Sequence, residues 1–357
     1  MFRKMGLDKK ILMYTCLLMT VMLFISGTIS NTMSGKVIAE ESNSKIVNAL
    51  SASAAEFDLW ITRQEDNIQS AGSIIAATDA NDDDVHRIMI STVEKSNGTA
   101  FAAYMAYPDK RVIFHDDTQL PPDFDVTVRS WYVAAVEAKG EPVCTTPYID
   151  YLSGKMVITV SCAIYKNDTL FGVAGADINI EDLVEKCNSI ELYENAYPFL
   201  MDNEGNILAH RNEEYLPYIE GENGIFTNIS DVEAYSSSEP PVNTVRILKD
   251  YDGVKRAISA VNLSTTNWLL GYAIDYSTYN KGISEIRLAS VIVLVPAVIA
   301  VILLGSLTLK LVLVKPMKEL KAASEEMANG NLSYYPTYEK MTLWASFAGV
   351  FMQQITR

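Results

Sequence analysis

The apolar positions of this 357-residue chain repeat at helical spacing over the first eighty residues and mostly at strand-like spacing over the next two hundred. Two apolar runs bracket that pattern, Ile11–Ile29 and Leu288–Val314. Each approaches or exceeds the roughly 20 residues that cross a hydrocarbon core as a helix. After the first run, Val37, Ile46, Leu50, Phe57, Trp60, Ile61, Ile68 and Ile74 recur mostly three, four or seven residues apart, with no proline between them. This spacing marks one face of a long helix rising from the first span. It is expected to end near Thr78-Asp79, where Asp79-Ala-Asn-Asp-Asp-Asp84 supplies turn and capping residues. A second helix is expected over Val85–Glu94.

The period then shortens. Phe101–Tyr107, a Pro108-Asp109 turn and Val112–Phe114 read as a hairpin. A short helix over Trp131–Lys139 precedes three strand-like runs, Glu141–Tyr148, Lys155–Tyr165 and Leu170–Asp177, and Ile178–Ser189 returns to helix. A smaller unit repeats the theme: Tyr197–Met201, the turn Asp202-Asn-Glu-Gly-Asn206, Ile207–His210, then strands over Val242–Leu248, Arg256–Asn262 and Trp268–Ile274. Antiparallel sheets flanked by helices define an α+β fold. Beyond the second span, Val314-Lys315-Pro316 opens an amphipathic helix with Leu320, Ala323 and Met327 on one face, and a further helix is expected over Glu339–Thr356.

The net charge of −15 argues against nucleic acid, which requires Lys and Arg surfaces. The cations are placed asymmetrically. Arg3, Lys4, Lys9 and Lys10 precede the first span, and Lys310, Lys315, Lys318 and Lys321 lie at or beyond the end of the second. The positive-inside rule then puts both termini in the cytoplasm and the intervening chain outside. Apolar character continues past Ser26-Gly27-Thr28 without an Ala-x-Ala-like site, which favours an uncleaved anchor over a signal peptide. Cys144 and Cys162 are nearly symmetric about Ser153-Gly154, so a cross-strand disulfide and buried reduced thiols both stay open. No phosphate-binding or nucleophile-elbow motif is present, and His86, His115 and His210 lack metal-ligand spacing. No cofactor or metal is expected.

The candidate chemistry is concentrated in three places: Phe124-Asp-Val-Thr-Val-Arg129-Ser-Trp131-Tyr132, Pro147-Tyr148-Ile-Asp150, and Gly172-Val-Ala-Gly-Ala-Asp177. An α-amino acid presents a carboxylate beside an ammonium. Arg129 offers a planar fork for the first, the Trp131 indole N–H and Tyr132 hydroxyl add donors, and Asp177 with Asp150 accepts from the second. Such a pocket leaves neither charge desolvated and alone. The competing reading makes Arg129 a structural ion-pair partner and Trp131, Tyr132 and Tyr148 core aromatics.

Taken together, the long helix, FDVTVRSWY, PYID, GVAGADI and DNEGNILAH resemble the double Cache sensors of bacterial transmembrane receptors. The resemblance covers residues 34–287 and implies two tandem PAS-like units on the N-terminal helix, a distal one of about 80–190 and a proximal one of about 191–275. The frame around them is a cytoplasmic start (1–10) and two membrane helices (11–33 and 288–314). The segment 315–357 resembles a HAMP linker, although Tyr338-Glu339-Lys340-Met341 stands where that family has an Asp-Glu pair, an apolar residue and Gly. In the subgroup that binds amino acids, the recurrent set falls on Arg129, Trp131, Tyr132, Tyr148, Asp150 and Asp177. A tyrosine is expected at 124, where this chain has Phe124. The implied protein is a homodimeric, membrane-embedded sensor of an amino acid or other small carboxylate, with no catalytic domain in these residues. The alternatives are the sensory half of a histidine kinase or diguanylate cyclase, and a solute-binding membrane protein that does not signal.

Overall fold

The computed structural model describes residues 7–221, 223–232 and 240–329. They fall into two compact units, one of Glu40–Lys281 and one of the described residues on either side of it. The first helix, α1 (Leu7–Thr78), is the uninterrupted rod its spacing predicts. Helix α2 (Asp82–Lys95) starts three residues earlier than the apolar pattern alone indicates. The Asn81 side chain accepts the Asp84 amide and caps it, and Asp82, Asp83 and Asp84 complement the positive end of the helix dipole.

Two antiparallel sheets follow. The first contains β1 (Ala102–Ala106), β2 (Val112–Phe114), β3 (Val143–Cys144), β4 (Tyr148–Ile149), β5 (Met156–Lys166) and β6 (Thr169–Asn179), ordered β2-β1-β6-β5-β3 with β4 also on β5. The continuous strand expected over Glu141–Tyr148 is in fact broken into β3 and β4. Pro147 has no N–H to give the ladder, and the chain steps off at that point. Helix α3 (Ser130–Glu137) packs on one face of this sheet, fixed by a 2.9 Å hydrogen bond from Ser161 Oγ to the Trp131 carbonyl. Helices α1 and α2 cover the other face, where Ile68, Ile75, Val85 and Met89 pack on Ala103, Met105, Cys162 and Ala174. The alternation of Ala103 and Met105 against Tyr104 and Ala106 divides the two faces.

Strand β6 runs straight into α4 (Ile180–Asn188). The second sheet has β7 (Ala196–Met201), β8 (Ile207–Ala209), β11 (Arg246–Lys249), β12 (Lys255–Asn262) and β13 (Leu269–Asp275), ordered β11-β12-β13-β7-β8. A separate hairpin of β9 (Tyr218–Glu220) and β10 (Asn223–Ile225) was not expected from the sequence. The strand expected from Val242 begins only at Arg246, and Val242 makes a lone parallel bridge to Ala260. One continuous core joins α1 (Ile46, Leu50, Phe57, Ile61) to both sheets through Ile158, Ile178, Leu183, Leu200, Leu208, Leu270 and Tyr272. On the other face of the second sheet, beside Tyr197 and Tyr251, the Arg256 guanidinium bridges Asp250 (2.7 Å), Asp252 (2.6 Å) and Asp275 (2.9 Å). Nearby, the buried His210 ring is surrounded by Tyr197, Tyr215 and Tyr251, with centroids 5.1 to 5.2 Å away.

The chain continues through α5 (Tyr276–Tyr279) into α6 (Lys281–Leu309), a π-helical turn at Lys310–Val314 and α7 (Lys315–Ala328). Two of the described helices, α1 and α6, are long and apolar enough to cross a bilayer. A Cβ at Gly27 of α1 would meet Leu294 of α6 at 3.1 Å. The second linker helix expected over Glu339–Thr356 lies outside the described residues. Cys144, Cys162 and Cys187 are free thiols, so no disulfide joins Cys144 to Cys162. Burial pushes the Cys162 thiol up to about 11, opposite in direction to a reactive thiolate.

Candidate functional site

One cleft lies on the α3 face of the first sheet. It is lined by Tyr104, Val112, Phe114, Leu120, Phe124, Val126, Arg129, Trp131, Tyr148, Asp150, Leu152 and Asp177. Its cavity volume is about 30 Å³. The cleft is therefore narrow and largely filled by its own walls.

Local sequence explains the placement of each group. Asp125 accepts the Thr127 amide and hydroxyl and holds the helical turn Val126–Val128. The Lys110 ammonium, 2.7 Å from that carboxylate, and the bonds from Thr127 lower its pKa to about 2. The turn delivers Arg129 to the cap of α3 in an extended conformation, so its side chain leaves the helix. The guanidinium sits 5.4 Å from the Phe124 ring centre and 5.9 Å from that of Tyr151, and has no ion pair among the described residues. Trp131 is buried, its ring 4.9 Å from that of Tyr104.

Asp177 closes the inner end. It is buried, on β6, directly opposite Thr159 of β5 and Ala102 of β1. Thr159 Oγ1 donates to Asp177 Oδ1 at 2.6 Å and the Tyr104 hydroxyl donates to the same oxygen at 2.8 Å. The Tyr148 hydroxyl is 2.6 Å from Thr159 Oγ1. Because that threonine proton goes to the carboxylate, Tyr148 is the donor in the second bond. Burial raises the Asp177 pKa to about 7, opposed by the bonds from Thr159 and Tyr104 and reinforced by the charge of Asp150. Burial likewise pushes the Tyr104 and Tyr148 phenols above their ordinary range. Asp150 is half-buried, its Oδ2 taken by the Ser153 amide and hydroxyl, both at 2.7 Å.

Six of the seven residues singled out in the sequence thus line one cleft: Phe124, Arg129, Trp131, Tyr148, Asp150 and Asp177. Tyr132 does not. Successive helix residues point about 100° apart, and Tyr132 turns into the packing between α3 and the sheet, edge-on to Trp131 at 5.8 Å. Two polar neighbours of Asp177, Tyr104 and Thr159, carry no motif in the sequence. Their only signal was a bulky polar residue at an inward position of β1 and a hydroxyl inside the apolar run of β5. Among the described residues, no group of three or more His, Cys, Asp or Glu side chains is placed to hold a metal.

The two-sheet architecture on a long helix recurs in solved structures. The ligand-binding domain of the Pseudomonas fluorescens chemoreceptor CtaA, solved with L-isoleucine, shares the fold at a TM-score of 0.58 and 21% identity, covering 69% of this chain and 97% of that one. The corresponding domain of Pseudomonas aeruginosa PctB, solved with L-Arg, gives 0.54 at 20% identity, covering 67% and 97%. In sequence, the methyl-accepting chemotaxis protein PctB is 25% identical over 235 residues, 65% of this chain and 35% of PctB. The chemotaxis protein PscA of Pseudomonas syringae pv. tomato is 24% identical over 331 residues, 92% of this chain and 50% of PscA. The chain spans about a third to a half of the length of these relatives. Residues 29–283 match the Cache domain family dCache_1, and the chain belongs to that family.

Proposed function

We propose that this chain is the sensory part of a transmembrane chemoreceptor that captures a small α-amino acid in the Arg129–Asp177 cleft. The single observation that carries the reading is charge placement. A guanidinium without an ion pair among the described residues and a buried carboxylate line the same cleft. A zwitterion satisfies both, whereas a plain carboxylate leaves Asp177 and a plain amine leaves Arg129 without a partner. The amino acids bound by the structural neighbours CtaA and PctB support the same class of ligand. Phe124 removes one hydroxyl that the resembling subgroup offers, and the contact left to Arg129 there is an aromatic face.

Helices α1 and α6 anchor the sensor in the plasma membrane with both termini in the cytoplasm, as the flanking cations favour. The amphipathic α7 begins a HAMP-like linker that passes the signal on in a homodimer. The chemotaxis relatives support a chemoreceptor output over an enzymatic one.

The test is a thermal-shift screen of the detergent-solubilised full chain with amino acids, amine-free carboxylates and carboxylate-free amines. Only ligands with both groups should raise Tm by mass action on the folded state. Arg129→Ala should cost about 2–5 kcal/mol of binding, since it strips a charge-assisted contact from a desolvated partner. A best ligand without a carboxylate, or normal binding by folded Arg129→Ala, overturns the assignment.

A further inference from the structure

Both protein hydrogen bonds to Asp177 land on one oxygen. Tyr104 and Thr159 occupy Oδ1 at 2.8 and 2.6 Å, so Oδ2 is the oxygen left to face the cleft. A carboxylate fixed in this way has a single site for either a proton or a ligand N–H. The groups around it are few. Tyr104 approaches from β1, Thr159 from β5, Tyr148 from β4, Asp150 from the turn after β4, and Arg129 and Trp131 from the start of α3. Arg129 is the sole cation that lines the cleft among them, and Asp150 adds a second negative charge.

We propose, resting on the amino-acid reading above, that a proton and the ligand's ammonium compete for Asp177 Oδ2, and that Tyr104 is the positioning residue that sets the pH at which the ammonium wins. Capture then breaks one O–H bond, releases that proton to solvent and leaves the carboxylate paired with the ammonium. No other bond changes. Burial against Asp150 keeps the proton on Asp177 up to about pH 7 in the ligand-free protein. An ammonium on Oδ2 favours the ionised form and lowers that value in the complex. The complex therefore binds fewer protons than the free protein, and affinity falls as pH drops below about 7 and is level above it. The Tyr104 donor favours the carboxylate, so removing it raises the pH needed for capture.

The experiment is calorimetry on the full chain with L-alanine, L-leucine, L-arginine and L-glutamate as probes, between about pH 5.5 and pH 8, in buffers of different ionisation enthalpy. For a probe that binds, Kd should rise about tenfold per pH unit below about pH 7, with close to one proton released in that range. Tyr104→Phe keeps the ring and loses the hydroxyl. Its affinity should fall furthest below wild type in the acid range, by a constant factor below about pH 7, and approach wild type at the alkaline end. A merely structural Tyr104 would instead lower affinity equally at every pH. Asp177→Asn should abolish the pH slope along with most of the binding. A probe that binds with constant Kd and no proton release overturns the competition. Failure of all four probes at every pH overturns the amino-acid reading itself, and this inference with it.

Discussion

Gly175 lies directly under the ring of Tyr104. A Cβ at 175 would stand 2.6 Å from Tyr104 Cε2 and 3.2 Å from its hydroxyl oxygen. The two residues are register partners across β6 and β1, and the missing side chain lets the phenol lie flat and reach diagonally to Asp177, two residues further along β6. Gly175→Ala should therefore lift the phenol off the carboxylate. The expected cost is about 1–3 kcal/mol of stability, typical of overpacking, together with weakened ligand binding. Gly172→Ala is the control, because its Cβ would strike the Ala106 carbonyl at 2.6 Å, away from the cleft. Chemical denaturation should show both variants destabilised, whereas calorimetry should show a binding loss beyond the stability loss only for Gly175→Ala.

Tyr132 and Tyr148 were equal candidates in the sequence, and the structure separates them. Tyr132 packs against Trp131 outside the cleft, while Tyr148 lines it and donates to Thr159. Tyr132→Phe should bind as wild type. Tyr148→Phe leaves Thr159 without its donor and should weaken binding by about 1 kcal/mol, the net worth of a typical hydrogen bond. Equal effects of the two substitutions in parallel titrations would contradict this division.

Much of this arrangement was legible before the structure, because it depends on period. The face of α1, the β1–β2 hairpin and the long strands β5 and β6 follow from spacing alone. What was not legible depends on pairing. Nothing local to Tyr104 says that its register partner is a glycine, or that Thr159 stands opposite Asp177. Tyr132 was misplaced because a motif gives sequence neighbours, whereas a helix turns consecutive residues to different sides. The broken strand at Pro147 had a signal, since a prolyl nitrogen cannot join a ladder, but the apolar run across it was the stronger cue. The β9–β10 hairpin is three exposed residues on one side with little apolar pattern to read.

Two buried titratable groups pull the pH dependence of stability in opposite directions. Burial lowers His210 to about 4, and its Nδ1 accepts the Asn212 amide at 2.9 Å, which fixes the neutral tautomer. Its folded pKa lies below the unfolded value, so the stability it contributes is whole above about pH 6.5 and is lost as pH falls through about 4. Asp177 is the reverse. Its folded value of about 7 exceeds the unfolded one, so its contribution is whole at low pH and is lost as pH rises through about 7. Wild type should show a shallow profile between those limits. Asp177→Asn should shift the profile toward the histidine's loss between about pH 6.5 and pH 4, set against the half-buried Glu65, whose pKa burial also raises to about 7. Adding His210→Asn, whose amide oxygen takes the place of Nδ1, should remove that acid-side loss. Urea titrations at several pH values read both slopes.

Arg256 holds the second sheet together electrostatically. Its side chain and that of Asp250 are 5% and 0% exposed, so neither charge has water to fall back on. Arg256→Ala should cost about 3–5 kcal/mol, because it leaves a buried carboxylate without its partner. Asp250→Asn in the same background should recover a substantial part of that loss. An exposed pair such as Lys45 with Glu41 should show almost nothing on the same substitution.

The run from β6 into α4 has a mechanical meaning. Asp177 is three residues before Ile180, the first residue of α4, with no loop between them, and Leu183 of that helix shares a core with Leu200 of β7 and Leu208 of β8. An extended strand is close to inextensible over that length. A displacement of the carboxylate along β6, by even a fraction of an ångström, is handed to the base of α4 as a push rather than absorbed as slack. On the proposed function, any ligand-driven displacement would start on a rigid rod, and inserting glycines between Asp177 and Ile180 would turn that rod into a string.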